Sequence, residues 1–486
     1  MASTIFRDVD KRLTGETKLN NCMETAASHT GAAVEASTPK PWSGFGSQVA
    51  VTLTTNLFLS GLGLCSGVLT ARYLGPTGRG ELEVILLWGA FVATVALLGL
   101  GDAAIYFTSR EPRRAGHYWI AGLCCALVCG LPVLLLSNWI VLFMLQGQSA
   151  TVTATMLWFP VSFFFLFTVI SLSLGVLRGL GDFISWNKLR MLPQVGWVVA
   201  VVTLCFLHKS SPTLLAIGFL ATYAVATVVV VIHVVRRLPF STARDGRVWV
   251  QMLQYGLPSV TSGMPTHLLQ SGRLVQLFIA FFLDPAALGL LAVGVALGDV
   301  MRVIPGAIAA VVFPRVAGAH GDQQLHELTR GTRVTVVLTS LCVLGAVSVS
   351  PLMVPFLFGE QFRTAVYLSM LMAVAGGIDG LKVVLGSSIR GLGQPAALIM
   401  SETLAVGTTA FSLMLLLPNT GVNGAALAII LGNLTGTLFL VHVAKKVAHC
   451  SIRRLLFPTG TDLQQLRSSV VREWGAMVRA GVARPS

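Results

Sequence analysis

The chain of 486 residues contains 54% hydrophobic but only 11% charged residues, whereas charged residues usually make up about a quarter of a soluble globular protein. Its mean hydropathy of +0.77 therefore excludes a soluble globular fold and indicates a polytopic membrane protein. The apolar runs are about 20 residues long, which suits membrane-spanning helices and excludes the shorter alternating strands of a transmembrane barrel. We therefore predict an all-α fold.

The first 45 residues are polar and mixed in charge, without the apolar core of a signal peptide, and are expected to form a disordered cytoplasmic tail. About twelve transmembrane helices follow. The predicted spans are 47–71, 82–107, 117–145, 152–177, 184–207, 212–235, 252–282, 286–313, 333–355, 365–388, 396–417 and 422–444.

Residues 448–486 are predicted to form a basic cytoplasmic tail. Apolar residues recur there every three or four positions, which indicates an amphipathic helix on the membrane surface. A tail that binds a partner or is only solvated is an equally good interpretation. The apolar residues are Leu463, Leu466, Val470, Trp474 and Met477.

Two short motifs recur at nearly the same distance along the chain. Leu74–Val84 matches Leu283–Val293 at an offset of 209 residues, with Leu, Pro, Gly, Leu and Val in register. Arg178-Gly-Leu-Gly181 recurs as Arg390-Gly-Leu-Gly393, at an offset of 212. The agreement predicts two pseudo-symmetric six-helix lobes, 46–240 and 241–447, around a central cavity, as in many transporters.

Lys and Arg in the short links predict the orientation, because such residues are retained in the cytoplasm during insertion. The links on the side of the two tails hold 14 basic residues and the opposite links hold 4. Both termini are therefore expected to be cytoplasmic. The net charge of +14 reflects this topology and attraction to anionic membrane lipid, and it gives no support for nucleic-acid binding.

Charged residues inside predicted spans are candidates for function, because an isolated charge in the membrane is costly. Asp299 lies three residues before Arg302, and Asp379 lies three residues before Lys382, so each acid can neutralise its own base on a helix. Glu402 lies near a span end. We predict that any ion coupling uses Asp299, Asp379 or Glu402, and mutual neutralisation is the alternative interpretation.

Arg273 has no acidic residue three or four positions away on its own span. Arg273 is the last residue of a polar stripe. On a single helix this stripe would lie on one face and extend across most of the bilayer, and lipid does not tolerate such a polar face. We therefore predict that the stripe lines the central cavity, with a partner on another helix as the alternative for Arg273. The stripe is Tyr255, Ser259, Ser262, Thr266, Gln270 and Arg273, and its first-half counterpart is Gln48, Thr52, Thr55 and Asn56.

Glycine spacings at Gly63/Gly67, Gly175/Gly179 and Gly294/Gly298 predict close helix contacts. Pro258, Pro265 and Pro305 are expected to weaken helices in the second half. The sequence has no phosphate-binding Gly-x-x-x-x-Gly-Lys-Ser/Thr loop. It has no metal-ligand spacing either. We therefore predict no cofactor, no metal site and no catalytic group.

Five motifs, in this order along the chain, resemble those of polysaccharide-exporting flippases of the Wzx type, in the superfamily that also holds the lipid II flippase and the multidrug/toxin extruders. The resemblance covers about residues 46–447. The motifs are Ala71-Arg-Tyr-Leu-Gly-Pro-Thr-Gly-Arg-Gly-Glu81, Val312-Phe-Pro-Arg315, Phe358-Gly-Glu-Gln-Phe362, Ile389-Arg-Gly-Leu-Gly393 and Gly421-Val-Asn-Gly-Ala-Ala426.

The resemblance implies a V-shaped pair of six-helix lobes in the bacterial inner membrane. It implies transport of undecaprenyl-pyrophosphate-linked oligosaccharide to the periplasmic leaflet, for O-antigen or exopolysaccharide synthesis, with other polysaccharide-assembly proteins as candidate partners. Arg273 matches the basic residue often found midway along span 7 of such proteins. The chain departs from the pattern at Val275, where relatives often carry an acid.

Three alternatives remain open from the sequence. One is a cation-coupled antiporter of drugs or small solutes in the same superfamily. Another is a carrier of the major facilitator type, although its usual motif between spans 2 and 3 is replaced here by Ser109-Arg-Glu-Pro-Arg-Arg-Ala-Gly-His117. The third is a membrane-embedded glycosyltransferase, polymerase or ligase, which typically needs a large external loop where this chain has only short links.

Overall fold

The computed structural model describes residues 45–144, 149–208, 211–238, 247–269, 272–319, 321–447 and 451–457. Within these ranges the chain is helical and contains no strand. The α-helices are α1 Phe45–Ala96, α2 Leu100–Arg110, α3 Ala115–Met144, α4 Ala150–Gly179, α5 Phe183–Phe206, α6 Pro212–Val235, α7 Val248–Leu269, α8 Arg273–Phe282, α9 Pro285–Met301, α10 Val303–Gly318, α11 Asp322–Phe358, α12 Ala365–Gly391, α13 Pro395–Val447 and α14 Ile452–Leu456. Short 3-10 turns lie at Pro112–Arg114 and Glu360–Phe362.

Nine helical segments of the described chain are long and apolar enough to cross a membrane. Two of them, within α1 and α13, reverse direction and therefore cross twice. Together α7 and the short apolar helix α8 make one more crossing. The described residues thus contain twelve crossings, which confirms the predicted all-α polytopic fold. The predicted tail helix at 463–477 lies outside the described residues.

A glycine in an unusual backbone conformation reverses each of the two long helices. Gly75 has φ 71° and ψ −179°, and Gly421 has φ 57° and ψ −140°. Side chains with a Cβ disfavour positive φ, so glycine suits both turns. The parts of α13 before and after Gly421 pack against each other, and Ser401 Oγ donates a hydrogen bond to the Gly436 carbonyl at 3.0 Å. The predicted ten-residue link at 72–81 is therefore wrong, because helix continues to both sides of Gly75.

Three predicted spans are interrupted rather than continuous. Span 2 breaks at Leu97–Gly99, span 7 breaks at Gly272, and span 8 breaks at Arg302. The third break has a direct cause in Pro305, which has no N–H for the Met301 carbonyl and whose ring crowds it. Pro258 and Pro265 lie inside α7 without interrupting it.

The repeated motif lies at a contact between the two halves of the chain. A Cβ placed on Gly80 would overlap the carbonyl oxygen of Pro285, and a Cβ on Gly289 would overlap that of Pro76. These pairs are related by the 209-residue offset predicted from the sequence, and the contact is reciprocal. This geometry is that of a pseudo-two-fold axis passing between the two helices.

We expect Gly80→Leu to force these helices apart, since a side chain there meets backbone rather than a movable side chain. Cysteines can be introduced at Thr77 and Ala286 in a background without native cysteines. This pair should cross-link readily when Gly80 is retained and poorly in the Gly80→Leu protein. Gly67→Leu is the matched control, because a Cβ on Gly67 meets nothing within 4 Å. Equal cross-linking in all three proteins would contradict the tight contact.

Two of the three predicted glycine contacts are confirmed. A Cβ on Gly175 would lie 2.9 Å from the Gly101 carbonyl oxygen, and one on Gly298 would lie 2.9 Å from that of Met372. These contacts join α4 to α2 and α12 to α9. The third prediction is wrong, because a Cβ on Gly63 meets only Gln194, at 3.9 Å, and both Gly63 and Gly67 line a cavity instead.

Candidate functional site

A cavity of about 520 Å³, here called the central cavity, lies between the two halves of the chain. Helices α1, α5 and α6 line it from the first half, and α8, α9, α10 and α11 line it from the second. Most of the wall is apolar, with polar groups at a few positions. The polar and charged lining residues are Ser60, Arg79, Glu83, Gln194, Arg273, Gln276 and Asp299.

One end of the cavity, here called the Gly75 end, is closed by apolar packing between α1, α9 and α11. Ala71, Val293 and Phe358 belong to one buried cluster there, and Phe358 also lines the cavity. Arg72 donates from Nε to the Leu357 carbonyl at 2.6 Å, which ties α1 to α11. The central cavity is therefore separated from this end of the bundle by closely packed side chains.

Arg273 is the first residue of α8 and lies in the cavity wall. The preceding residue, Gly272, has φ 64°, and a Cβ there would lie 3.2 Å from Ile429 Cδ1. The left-handed backbone at Gly272 places Arg273 on a separate helix from α7. The prediction that one continuous helix face carries residues 255 to 273 is therefore wrong, although Arg273 itself reaches the cavity.

The charges in the cavity wall are paired except for that of Arg273. Arg79 lies 2.8 Å from Glu83, and Asp299 lies 2.8 Å from Arg302. Among the described residues no carboxylate lies within ion-pair distance of the Arg273 guanidinium, although the charge of Asp299 acts on it from the same wall. An anion that enters the cavity would therefore meet one cation that has no direct counter-ion.

Two other described members of the predicted stripe, Tyr255 and Ser259, contact α2. Tyr255 stacks on Tyr106 with ring centroids 4.3 Å apart, and Ser259 Oγ donates to Asp102 at 2.7 Å. Thr266 is exposed. None of these three lines the central cavity, so the cavity prediction for them is wrong. The side chain of Ser262 and all of Gln270 lie outside the described residues.

Two of the first-half counterparts of the stripe, Thr52 and Asn56, contact α5. Thr52 accepts a hydrogen bond from Asn187 at 3.1 Å, and Asn56 accepts one from Arg190 at 2.7 Å. Thr55 is buried and donates to the Val51 carbonyl of its own helix at 2.8 Å. None of these three lines the central cavity, and the side chain of Gln48 lies outside the described residues.

Sequence reasoning missed Arg79, Glu83, Gln194 and Gln276. Arg79 was assigned to a link, because span 2 was expected to begin only at residue 82, whereas the helix resumes directly after Gly75. The four-residue spacing of Arg79 and Glu83 was the available signal for a helical ion pair. Gln194 and Gln276 lie in apolar stretches where nothing in the sequence distinguishes a cavity-facing amide from a buried one.

Five of the intramembrane charged residues, Asp299, Arg302, Asp379, Lys382 and Glu402, form a single cluster. Lys382 is 1% exposed, and its ammonium lies 3.0 Å from Asp379, 3.0 Å from Glu402 and 3.2 Å from Asn433 Oδ1. Arg302 joins this group to Asp299, since its Nε lies 3.4 Å from Asp379. The predicted pairs are thus confirmed, and tertiary contacts link them to Glu402.

Comparison with known proteins identifies the family. The family described as polysaccharide biosynthesis protein matches residues 69–367, which is more than half of the chain. The chain belongs to this family. No curated protein matches it in sequence.

Solved structures show which fold this family member has. The lipid II flippase MurJ in an inward closed conformation is similar, with a TM-score of 0.65 and 14% identity over 82% of this chain and 89% of that chain. An inward-facing multidrug resistance MATE family transporter of the MOP superfamily gives a TM-score of 0.63 and 16% identity over 83% and 99%. These similarities show the fold, and with the family match they confirm the resemblance predicted from the five motifs.

Proposed function

We propose that the protein is a flippase that moves undecaprenyl-pyrophosphate-linked oligosaccharide from the cytoplasmic to the periplasmic leaflet, for O-antigen or exopolysaccharide synthesis. The observation that carries the proposal is Arg273, a cation without a direct counter-ion in a cavity that both halves of the chain line. A guanidinium forms strong paired hydrogen bonds with phosphate oxygens.

The remaining lining groups suit a sugar. Gln194 and Gln276 offer amide donors and acceptors, and Ser60 offers a hydroxyl. A volume of about 520 Å³ lies within the usual range for small-molecule sites. It is too small for an additional long polyprenyl chain, so the lipid tail stays in the bilayer while the head group crosses. Translocation of this kind makes and breaks no covalent bond.

We propose that transport proceeds by alternating access, in which the closely packed Gly75 end opens as the other end closes. The support is the symmetric contact of Gly80 with Pro285 and of Gly289 with Pro76, which is small and lies on the axis relating the two halves. Separation there would connect the central cavity to that side of the membrane.

The orientation of the chain is also a proposal, in which both termini are cytoplasmic and the membrane is the bacterial inner membrane. The 14-to-4 division of basic residues among the links supports it. In intact cells, an impermeant thiol reagent should modify a cysteine introduced at Gln146 and leave one at Thr242 unmodified. The reverse pattern would contradict the orientation.

We propose that ion coupling uses the acidic cluster of Asp299, Asp379 and Glu402. Among the described residues, Asp299 and Asp379 contact Arg302, and Asp379 and Glu402 contact Lys382, so a proton or metal cation bound at one carboxylate would change the ion pairs of the others. Asp299 is the accessible member, with 44% of its side chain exposed against 14% for Asp379 and 8% for Glu402.

Gradient dependence tests the coupling proposal. The triple amide variant Asp299→Asn, Asp379→Asn, Glu402→Gln should transport at a rate that no longer responds to an imposed proton or sodium gradient. Glu360→Gln, at an exposed carboxylate, is the control and should retain the response. An unchanged response in a folded triple variant would exclude the cluster.

The proposed substrate is tested in the host cell by deleting the gene. Cells should lose surface polysaccharide and accumulate the lipid-linked oligosaccharide, and the wild-type protein should reverse both effects. Normal polysaccharide together with raised sensitivity to cationic drugs would contradict the proposal and favour a drug or small-solute antiporter.

A further inference from the structure

A second cavity, of about 380 Å³ and here called the side cavity, lies within the first half of the chain. Helices α1, α4, α5 and α6 line it. It shares two lining residues, Gly63 and Gln194, with the central cavity. The two cavities are therefore neighbours, and the lack of a side chain at Gly63 leaves space where they meet.

Two arginines gather beside the side cavity around one tryptophan. Arg190 lines the cavity, and its guanidinium lies 4.1 Å from the centroid of the Trp186 ring. Arg178, from the end of α4, lies over the same ring at 5.4 Å. The two charges are thus within about 10 Å of each other, no more than a Debye length in 0.1 M salt, and would act together on one anion.

The nearest acid along the chain, Asp182, is engaged elsewhere. Arg237 forms an ion pair with it, and the Ser185 backbone N–H donates to it at 3.1 Å. Burial raises the pKa of Asp182, but these hydrogen bonds and the Arg237 charge outweigh burial and place the pKa below its usual value. Among the described residues no carboxylate lies within ion-pair distance of Arg178 or Arg190.

Arg190 is held in position with donors to spare. Its Nη2 donates to Asn56 Oδ1 at 2.7 Å, while its buried Nε has no hydrogen-bond partner in the described structure. Trp186, Arg190 and Gln194 are four residues apart in sequence and so share one face of α5. That face leads from the Arg178 end of the helix bundle toward the central cavity.

We propose that Arg178 and Arg190 form a second phosphate site, which holds the pyrophosphate of a lipid-linked substrate before it passes Gln194 into the central cavity. This inference rests on the proposed flippase function. Paired guanidinium groups with free N–H donors suit the oxygens of a diphosphate. The ring of Trp186 contacts both cations, and apolar residues of the side cavity, such as Leu59 and Phe167, offer a surface for the first isoprene units.

Binding of farnesyl pyrophosphate to purified protein tests the site, with the Arg273→Ala protein as the background in which the central site is weakened. Isothermal titration calorimetry should still show binding of farnesyl pyrophosphate to the Arg273→Ala protein. Adding Arg178→Ala or Arg190→Ala should weaken it about tenfold each, as expected for loss of a charge-assisted contact. Arg190→Lys should retain part of the affinity. Arg236→Ala, which removes an exposed cation at the end of α6, is the matched control and should change nothing.

The outcomes separate this proposal from the proposed function. Wild-type protein that binds no farnesyl pyrophosphate would overturn both. Binding that Arg273→Ala abolishes and Arg178→Ala leaves unchanged would overturn the second site alone. Arg178 is exposed, so its replacement tests the site even if Arg190→Ala fails to fold. If inorganic pyrophosphate binds this site as tightly as farnesyl pyrophosphate does, the assignment to a lipid-linked substrate is wrong. Farnesol, which has no phosphate, should not bind.

Discussion

Replacing Lys382 with methionine is expected to lower the free energy of unfolding by about 3–5 kcal/mol, because one partner of a buried ion cluster is removed. Asp379 would still contact Arg302, at 3.4 Å. Glu402 would be left with no cation in contact, although only 8% of its side chain is exposed. The variant should therefore lose yield and melt at a lower temperature in detergent.

The double variant Lys382→Met, Glu402→Gln separates charge burial from loss of packing. It removes both members of the 3.0 Å pair, and it should recover much of the lost stability. Lys445→Met, which removes an exposed lysine from the end of α13, is the control and should melt like wild type. An unchanged melting temperature for Lys382→Met would contradict the buried cluster.

Replacing Arg273 with alanine is expected to reduce transport about 30-fold or more while leaving thermal stability near that of wild type. The reason is that its guanidinium has no direct carboxylate partner among the described residues, so its removal leaves no acid buried and unpaired. Loss of a buried charged contact to phosphate costs about 2 kcal/mol or more. Arg273→Lys should retain part of the activity, since the charge remains but the paired geometry is lost.

Stability distinguishes this role from a purely structural one. Three acids of other helices have other partners, since Asp102 accepts a hydrogen bond from Ser259 while Asp379 and Glu402 contact Lys382. Arg113→Ala, at an exposed position outside the cavity, is the matched control and should transport normally. A melting temperature that falls together with transport in Arg273→Ala would indicate a structural contact instead.

The sequence was sufficient to predict the twelve crossings and the relation between the two halves. Apolar runs of about 20 residues determine crossings almost independently of tertiary structure. The in-register match of Pro76 with Pro285 and of Gly80 with Gly289 was informative because those residues meet each other on the axis. The lobe boundaries at 46–240 and 241–447 stay a prediction.

Side-chain positions within the spans were predicted less well. The stripe from Tyr255 to Arg273 assumed a single helix, but the break at Gly272 changes the direction of the side chains that follow it. Arg190 was counted among the 14 basic residues of the links although the predicted span 184–207 contains it, and it lies within α5 and lines the side cavity. Three-residue spacing revealed the pair of Asp379 and Lys382, but only the packing of α12 against α13 brings Glu402 to it.

Reconstituted transport is the most direct test of the central claim. Proteoliposomes loaded on one leaflet with fluorescently labelled undecaprenyl-pyrophosphate oligosaccharide report translocation as accessibility of the label to a quencher on the other side. We predict translocation with wild-type protein, loss with Arg273→Ala, and no uptake of a cationic drug by the same vesicles. Drug uptake without movement of the lipid-linked sugar would contradict the flippase account.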